Sequence, residues 1–448
     1  MKIRIPDNAK KILDIIHGAG FEAYVVGGCV RDAILGREPG DWDITTNAAP
    51  TEVKSLFRRT IDTGIEHGTV TVMLGKEGYE VTTYRIDGKY DDGRHPNSVT
   101  FTRSLVEDMK RRDFTINAMA YNDEEGLIDK FGGEEDLANH VIRCVGEPKE
   151  RFSEDALRIM RAVRFSAQLD FDIEEKTRDA IKELAPTLEK ISAERIQVEL
   201  VKLITSDHPG RLRDAYELGI TKMILPEFDA CMDTPQNNIH HAFNVGEHIV
   251  RSVESIRPDR VLRLTMLMHD IAKPATMTID EDGVSHFKGH DFESARMAEE
   301  IFRRLKFDRK TMDKACNLIK HHDDRFPATP RNVRRAMNRV GTEDFPLWLE
   351  VRVADTLAQS DFEREEKLRL IEDTRKVYEE VLEKNECVGL NDLAVKGKDL
   401  IEAGIKPGKQ LGDVLKAMLA DVIEDPSHNS REYLLEPERL RTVFLKDQ

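Results

Sequence analysis

Gly27-Gly28-Cys29-Val30-Arg31-Asp32, followed shortly by Asp41-Trp42-Asp43-Ile44, is the stretch whose reading decides the fold. Phe21 to Val26 is a short apolar run halted by the two glycines, the pattern of a buried strand entering a turn. Glycines there let backbone approach phosphate oxygens, and the helix N-terminus that follows, with Arg31, supplies positive potential. Asp41 and Asp43 alternate with Trp42 and Ile44 as on a strand, which projects both carboxylates from one face. Two hard oxygen ligands so spaced suit Mg²⁺, whose remaining ligands are waters and phosphate oxygens. Two-metal nucleotidyl transfer needs such a face. A lone Asp-x-Asp is usually a surface turn; a GG-x-x-RD turn ahead of one is far more specific. The chain has no GxxxxGK[ST] loop, so this is not a P-loop phosphate site.

Outward from that stretch, Asn8 to Gly18 has helical apolar spacing through Ile12, Ile15 and Ile16. Thr69 to Leu74 and Tyr79 to Arg85 alternate as strands do. Asp87 to Asn97 reads as a loop. From about Val106 the pattern turns helical and largely stays so. Ser153-Glu154-Asp155 reads as an N-cap with acids in the first turn of a helix running through Phe165. Glu363 to Lys384 is a charged scaffold helix. The fold class expected is therefore α+β, a small head with a mixed sheet and helices followed by all-helical regions.

The 448 residues, 40% of them hydrophobic and 34% charged, fit a soluble globular chain of two to four domains. Met1 to Pro6 is broken by charge and proline, so no signal-peptide core is expected. No stretch is apolar enough to cross a bilayer. The cysteines (29, 144, 231, 316, 387) form no CxxC pair and read as reduced thiols of a cytoplasmic protein. A net charge of −16 argues against a chain-wide grip on a polyanion but leaves room for a local basic stripe. Candidates are Lys110-Arg111-Arg112 and the set Arg331, Arg334, Arg335, Arg339; the plainer reading of either is a solvated helix face.

With these residues in view, the chain resembles the class II tRNA nucleotidyltransferases and bacterial poly(A) polymerases of the polymerase-beta-type superfamily. The glycine turn with Leu35-Gly36 and Asp41-Trp42-Asp43 looks like the family's first motif. Arg111-Arg112-Asp113 with Asn117-Ala118 matches its RRD-x-x-x-NA element, which implies ribose contacts by Arg112, Asp113 and Asn117. Phe131-Gly132-Gly133 with Asp136-Leu137, then Ile142-Arg143 and Val145-Gly146, matches the segment closing the head. Glu154-Asp155 with Arg158 and Arg161 matches EDxxR, and Ile191 to Ile196 matches the neck element. The resemblance implies that Gly27, Gly28 and Arg31 hold a nucleoside triphosphate and that Asp41 and Asp43 hold Mg²⁺. It implies a tRNA 3′ end, CTP and ATP as partners. Glu80, on a neighbouring strand, is the choice for third carboxylate, with Asp113 second.

A templateless enzyme must read the base with side chains. An aspartate accepts from the exocyclic amine of cytosine or adenine, and an arginine donates to the adjacent ring nitrogen. Guanine and uracil reverse both groups. Asp155 and Arg158, read as neighbours at i,i+3 on one helix, would therefore admit C and A and reject G and U; the plainer alternative is a helix-surface salt bridge. The resemblance implies the same role, with Arg161 nearby. The loop Asp87 to Pro96 resembles the flexible loop of full CCA-adding enzymes, and the basic GRRF-type element of poly(A) polymerases is not evident. Both favour CCA addition over an A-adding enzyme or a poly(A) polymerase.

Downstream, His248, His269-Asp270 and Asp355 follow the order of HD-domain phosphohydrolases and would hold one metal, Zn, Mn, Ni or Fe. His290 and His321 would extend the site to a second metal. A metal there would activate water against a phosphoester such as a cyclic phosphate or damaged RNA end. The plainer alternative is a helical RNA scaffold with spare histidines, and His240 and His241 read as loop residues. Gly404 to Gly408 with Gly412 looks like the family's tail turn, and reads equally as an ordinary helix N-terminus. The expected order is a nucleotidyltransferase head at 1–145, a helical neck at 146–232, an HD body at 233–362 and a helical tail at 363–448. Two rivals of other classes remain open: an HD phosphohydrolase with an inactive head, and a non-catalytic RNA-binding module. Oligomeric state is not legible.

Overall fold

The computed structural model describes residues 2–88, 99–240 and 242–441. The chain forms two compact units, Met1–Asp229 and Ala230–Gln448. The loop singled out at Asp87 to Pro96 falls largely outside the described residues, as does His241.

The first unit is built on β1 (Ala23–Val26), β2 (Ile44–Thr46), β3 (Thr60–Gly64), β4 (Thr69–Leu74) and β5 (Glu77–Thr83), then β6 (Arg85–Asp87), β7 (Val99–Phe101), β8 (Met119–Asn122) and β9 (Gly126–Asp129). Seven of them form one sheet in the order β3-β4-β5-β2-β1-β8-β9, and β6 pairs with β7 apart from it. β2 and β5 run parallel; the other pairings are antiparallel, so the sheet is mixed as expected. The central strands are covered on both faces: all residues of β1, β2 and β8 are buried, mostly apolar ones, with Thr45, Thr46 and Asn122 the polar exceptions. The helix Asp7–Gly18 turns Ala9, Ile12, Leu13 and Ile16 inward. The expectation of helix from Val106 onward fails at β8 and β9: β8 is a short, fully buried run and β9 is evenly half-buried, so neither carries the alternation that marks a strand.

A helical layer follows, and its first helix corrects another expectation. Instead of one helix starting at Ser153, there are two, Pro148–Glu154 and Leu157–Leu169. Pro148 occupies a first-turn position, where its missing N–H is harmless, so the first helix begins early and Ser153 lies inside it. Asp155 breaks the run with extended backbone (φ −140°), and its carboxylate accepts from Leu157 N at 3.0 Å to start the second. That second helix packs on Ala193–Ile204 through a buried ion pair, Arg164 Nε to Glu199 Oε2 at 2.5 Å.

The second unit is helical, with a short hairpin of Thr278–Ile279 and Ser285–His286. Asn244, Asp259, Asp308 and Thr329 each cap a helix by accepting a backbone N–H. The charged helix expected near 363–384 is Arg364–Glu383, and the tail turn precedes Lys409–Glu424. The basic stripe proposed on Pro330–Val340 is spent internally. Arg334 is buried and bonds Glu386 and the carbonyls of Ile423 and Glu424; Arg331 and Arg335 pair with Glu424, and Arg339 with Asp324. Among the described residues no helix is long and apolar enough to cross a membrane.

Candidate active site and metal centre

Asp41 and Asp43 stand just ahead of β2 rather than within it. Val26 N donates to Asp43 O at 3.0 Å, which carries the β1–β2 ladder one residue further and holds Asp43 in extended backbone. The parallel register pairs Ile44 with Val81, so one step back sets Asp43 beside Glu80. Asp41, Asp43 and Glu80 line one open cleft with Gly40, Trp42, Thr71 and Tyr79. Burial raises the Asp43 carboxyl above its ordinary pKa; the Arg112 charge works against that and Asp41 adds to it. Burial likewise raises Glu80, with the charges of Asp43 and Asp41 contributing. Carboxylates that resist ionising together are relieved by a divalent cation, and this all-oxygen donor set fits a hard one.

Behind the cleft lies a connected polar network. Gly27 has φ +83°, and a Cβ there would sit 2.9 Å from Arg112 Nη1, so glycine serves both the turn and the arginine's approach. Gly28 opens the helix Gly28–Ile34. Arg31 donates from Nη1 to Asn117 Oδ1 at 2.8 Å, and Asn117 donates to Asp113 Oδ1 at 3.1 Å. Asp113, the second choice for third carboxylate, does not line the cleft. It accepts from Phe114 N and from Arg161 Nε at 2.7 Å. Burial opposes its charge, yet Arg161 and Asn117 hold it well below the usual carboxylate range. The buried carboxylate of Asp108 faces both Arg111 and Arg112, so this basic cluster also has internal partners.

Asp155 and Arg158 do not share a helix, because the break falls between them. Asp155 Oδ2 accepts from Arg195 Nη2 at 2.7 Å. Arg158 donates to Glu154 Oε2 at 2.6 Å and to the carbonyls of Arg151 and Arg111. Arg31, Arg161 and Arg164 gather round the Phe165 ring, their guanidinium carbons 5.0, 5.3 and 3.8 Å from its centre.

In the second unit His248, His269, Asp270 and Asp355 come together. His248 Nε2 lies 3.2 Å from Asp270 Oδ2 and 3.0 Å from Asp355 Oδ1, and His269 Nε2 lies 3.3 Å from Asp270 Oδ2. Burial disfavours charge on both carboxylates, but the neighbouring imidazoles hold them well below the usual range. Gln359 donates to Asp355 Oδ2 at 2.8 Å and orients it. Asp270 is buried with the Lys273 ammonium 2.7 Å from its Oδ2, and its Oδ1 is 3.2 Å from His290 Nε2. His290 joins this group, but His321 does not. Its ring faces Asp324, and the residue beside Asp270 is His322. The His321-His322 pair left the choice open to periodicity, since either can close a helix. Lys273, Gln359, Asp108 and Arg195 also escaped sequence reasoning as partners of these groups; only Arg195 lay within a quoted motif.

Comparison with known proteins follows the same division. The Poly A polymerase head domain matches residues 23–143, the probable RNA and SrmB-binding site of polymerase A matches 170–232, and the HD domain matches 238–379. The chain is thus a nucleotidyltransferase with an HD domain, and both domain types depend on divalent metal. The CCA-adding enzymes of Lactobacillus helveticus and Pediococcus pentosaceus are 37% and 36% identical to it, over 95% and 96% of this chain and 96% of each of theirs. The crystal structure of the Bacillus stearothermophilus CCA-adding enzyme in complex with CTP aligns at 30% identity with a TM-score of 0.71, covering 97% of this chain and 98% of that one. The chain belongs to the CCA-adding enzyme family.

Proposed function

We propose that this protein adds C, C and A to the 3′ end of tRNA without a template, using CTP and ATP, and that the cleft of Asp41, Asp43 and Glu80 is where the bond is made. The observation that supports this is the meeting in one cleft of Asp41 and Asp43, just ahead of β2, with Glu80 of the adjoining β5, where Asp43 bonds Val26 next to the glycine turn. The RNA 3′-oxygen attacks the α-phosphorus, and the bond from that phosphorus to the β-phosphate oxygen breaks to release pyrophosphate. Asp41 and Asp43, with Glu80 as third carboxylate, would hold Mg²⁺, which when bound activates the hydroxyl and neutralises phosphate charge. Gly27 and Gly28 leave backbone open to the triphosphate and Arg31 gives it a cation. Arg112, Asp113 and Asn117 fix the ribose, while Asp155 and Arg158 read the base, with Arg161 holding Asp113 in place.

The head would span about 1–145 and the neck 146–232, with an HD body at 233–362 and a tail at 363–448. In the body His248, His269, Asp270 and Asp355 would hold a transition metal, Ni, Mn, Fe or Zn, supporting a phosphohydrolase activity on RNA-end phosphoesters. The free thiols of the described cysteines support a reducing, cytoplasmic setting.

Transcripts of tRNA lacking the terminal CCA, incubated with each nucleotide separately and together, test the reading. Incorporation of C from CTP alone and of A only after it is expected. Failure to incorporate C would leave an A-adding enzyme or poly(A) polymerase. Asp43→Ala should abolish both additions while tRNA binding stays near wild type, and full activity in that variant refutes the metal assignment.

A further inference from the structure

Two adjacent arginines of the head share one buried carboxylate, and they share it unequally. Asp108, on the helix Leu105–Lys110, is wholly buried. Its Oδ1 accepts from Arg111 Nε at 3.0 Å and from the backbone N–H of Arg85, the first residue of β6, at 3.3 Å. Arg111 Nη2 lies 2.9 Å from the same oxygen. Oδ2 meets the Thr45 hydroxyl at 3.2 Å but Arg112 Nη2 only at 3.6 Å. Arg111 is thus gripped by two nitrogens, whereas Arg112 is held to Asp108 by charge. Among the described residues the buried Nε of Arg112 has no hydrogen-bond partner. Burial opposes the Asp108 charge, yet Arg111 and Arg112 keep its pKa below the ordinary carboxylate value.

Arg112 stands between the glycine turn and a carboxylate of the cleft. Its Nη1 fits against Gly27 so closely that a Cβ there would be 2.9 Å away. Asp43 also feels it: burial raises that carboxyl's pKa and the Arg112 charge works against the rise. Thr45 follows Asp43 by two residues, and alternation puts both on one face of the strand. Asp108 therefore reaches the arginine from the face that carries Asp43. A mostly buried cation needs a counter-charge, and with Asp108 gone the carboxylate already within reach of the Arg112 charge is Asp43. A guanidinium paired there would take oxygens that a divalent cation needs and would repel that cation.

We propose that Asp108 is a positioning residue for nucleotide addition: it holds Arg112 against the glycine turn and off Asp43, leaving Asp43 to the metal and the guanidinium to the nucleotide. The inference rests on the roles given above to Asp43 and Arg112 and extends them to a residue that lines no part of the cleft. Thr45 and Arg85 fix the two oxygens of Asp108 in place, and Arg111 offsets its charge, so the carboxylate stays ionised where it is buried.

The test compares two variants of the full-length chain, chosen so that Arg111 is never stranded without its partner. Arg111→Gln keeps the carboxylate for Arg112. The double variant Asp108→Asn with Arg111→Gln removes the carboxylate and its gripped partner together. Mg²⁺ is titrated against CTP binding, read by equilibrium dialysis, and against addition of C to tRNA transcripts lacking CCA. The half-saturating Mg²⁺ of Arg111→Gln should stay within about twofold of wild type, while that of the double variant should rise about tenfold in both measurements. Affinity for tRNA should be alike in the two variants. Equal Mg²⁺ requirements, with any loss confined to melting temperature or maximal rate, overturn the positioning role and leave Asp108 a structural anchor, while C addition by wild type keeps the reading of the cleft intact. A wild-type chain that adds no C overturns that reading and the role of Asp108 with it.

Discussion

Asp43 is pulled two ways, toward charge by the cation it would hold and away from charge by burial and by Asp41. Its pKa is raised on folding, so in the metal-free protein the ionised form weakens the native state at pH above that pKa. The penalty fades as pH falls through it. Asp43→Asn should therefore raise the metal-free melting temperature at neutral pH, by roughly 2–4 °C for each kcal/mol relieved. The gap to wild type should close as the solution is acidified, and Mg²⁺ should stabilise wild type alone. Nucleotide addition should fall by about 10³-fold or more, the scale of losing several kcal/mol of transition-state stabilisation. Thermal melts across pH with and without Mg²⁺, beside an addition assay, check this; a variant less stable than wild type at every pH would contradict it. At this scale Asp41 and Asp43 were legible because two-residue spacing and a glycine turn are local facts. Glu80 was legible only through the guess that its strand lies alongside. That His322, not its neighbour, faces Asp270 depends on where one helix ends, which spacing does not reveal.

Elements carry the site through their joints. The helix Leu157–Leu169 brings Arg158 and Arg161 to the head's polar network, and its packing on Ala193–Ile204 includes the Arg164–Glu199 pair. Neutralising one member leaves a buried charge without its counterion. Glu199→Gln should lower stability by about 3–5 kcal/mol, read as the loss of denaturation midpoint in urea. A change below about 1 kcal/mol, the range of surface pairs, would show that the pair contributes as a surface one does. The sheet explains what was hidden at this level. Alternation betrayed β4, which is half covered, whereas β8 is sealed on both faces and leaves no exposed side to mark it. The helix break at Asp155 was missed because Ser153 is a good cap and Pro148, five residues earlier, is a better start.

At the scale of the whole chain, net charge sets how RNA can be held. With −16 overall and the arginines of Pro330–Val340 paired to Glu424, Glu386 and Asp324, that helix has little cationic surface to offer phosphate. The affinity for tRNA should therefore fall with salt at a log–log slope shallower than about −5, the slope of some six phosphate contacts at roughly −0.9 each. Filter binding between low and moderate salt measures it, and a slope near about −10 would reveal a larger basic surface than these pairings allow. Composition could announce the charge but not its pairing, since residues that neutralise one another lie as far apart in sequence as Arg335 and Glu424.

The contact between Asp155 and Arg195 has a consequence for how an incoming base is weighed. On the proposed role, the aspartate meets each candidate already satisfied, so entry is a swap of one donor for another. Only the surplus of a base amine over a guanidinium shows up as affinity. Cytosine and adenine need do no more than match a bond already in place, while guanine or uracil must evict a cation and offer an oxygen in its stead. Discrimination of this kind favours weak ground-state binding, with selectivity set by how much the wrong base loses rather than by how much the right one gains.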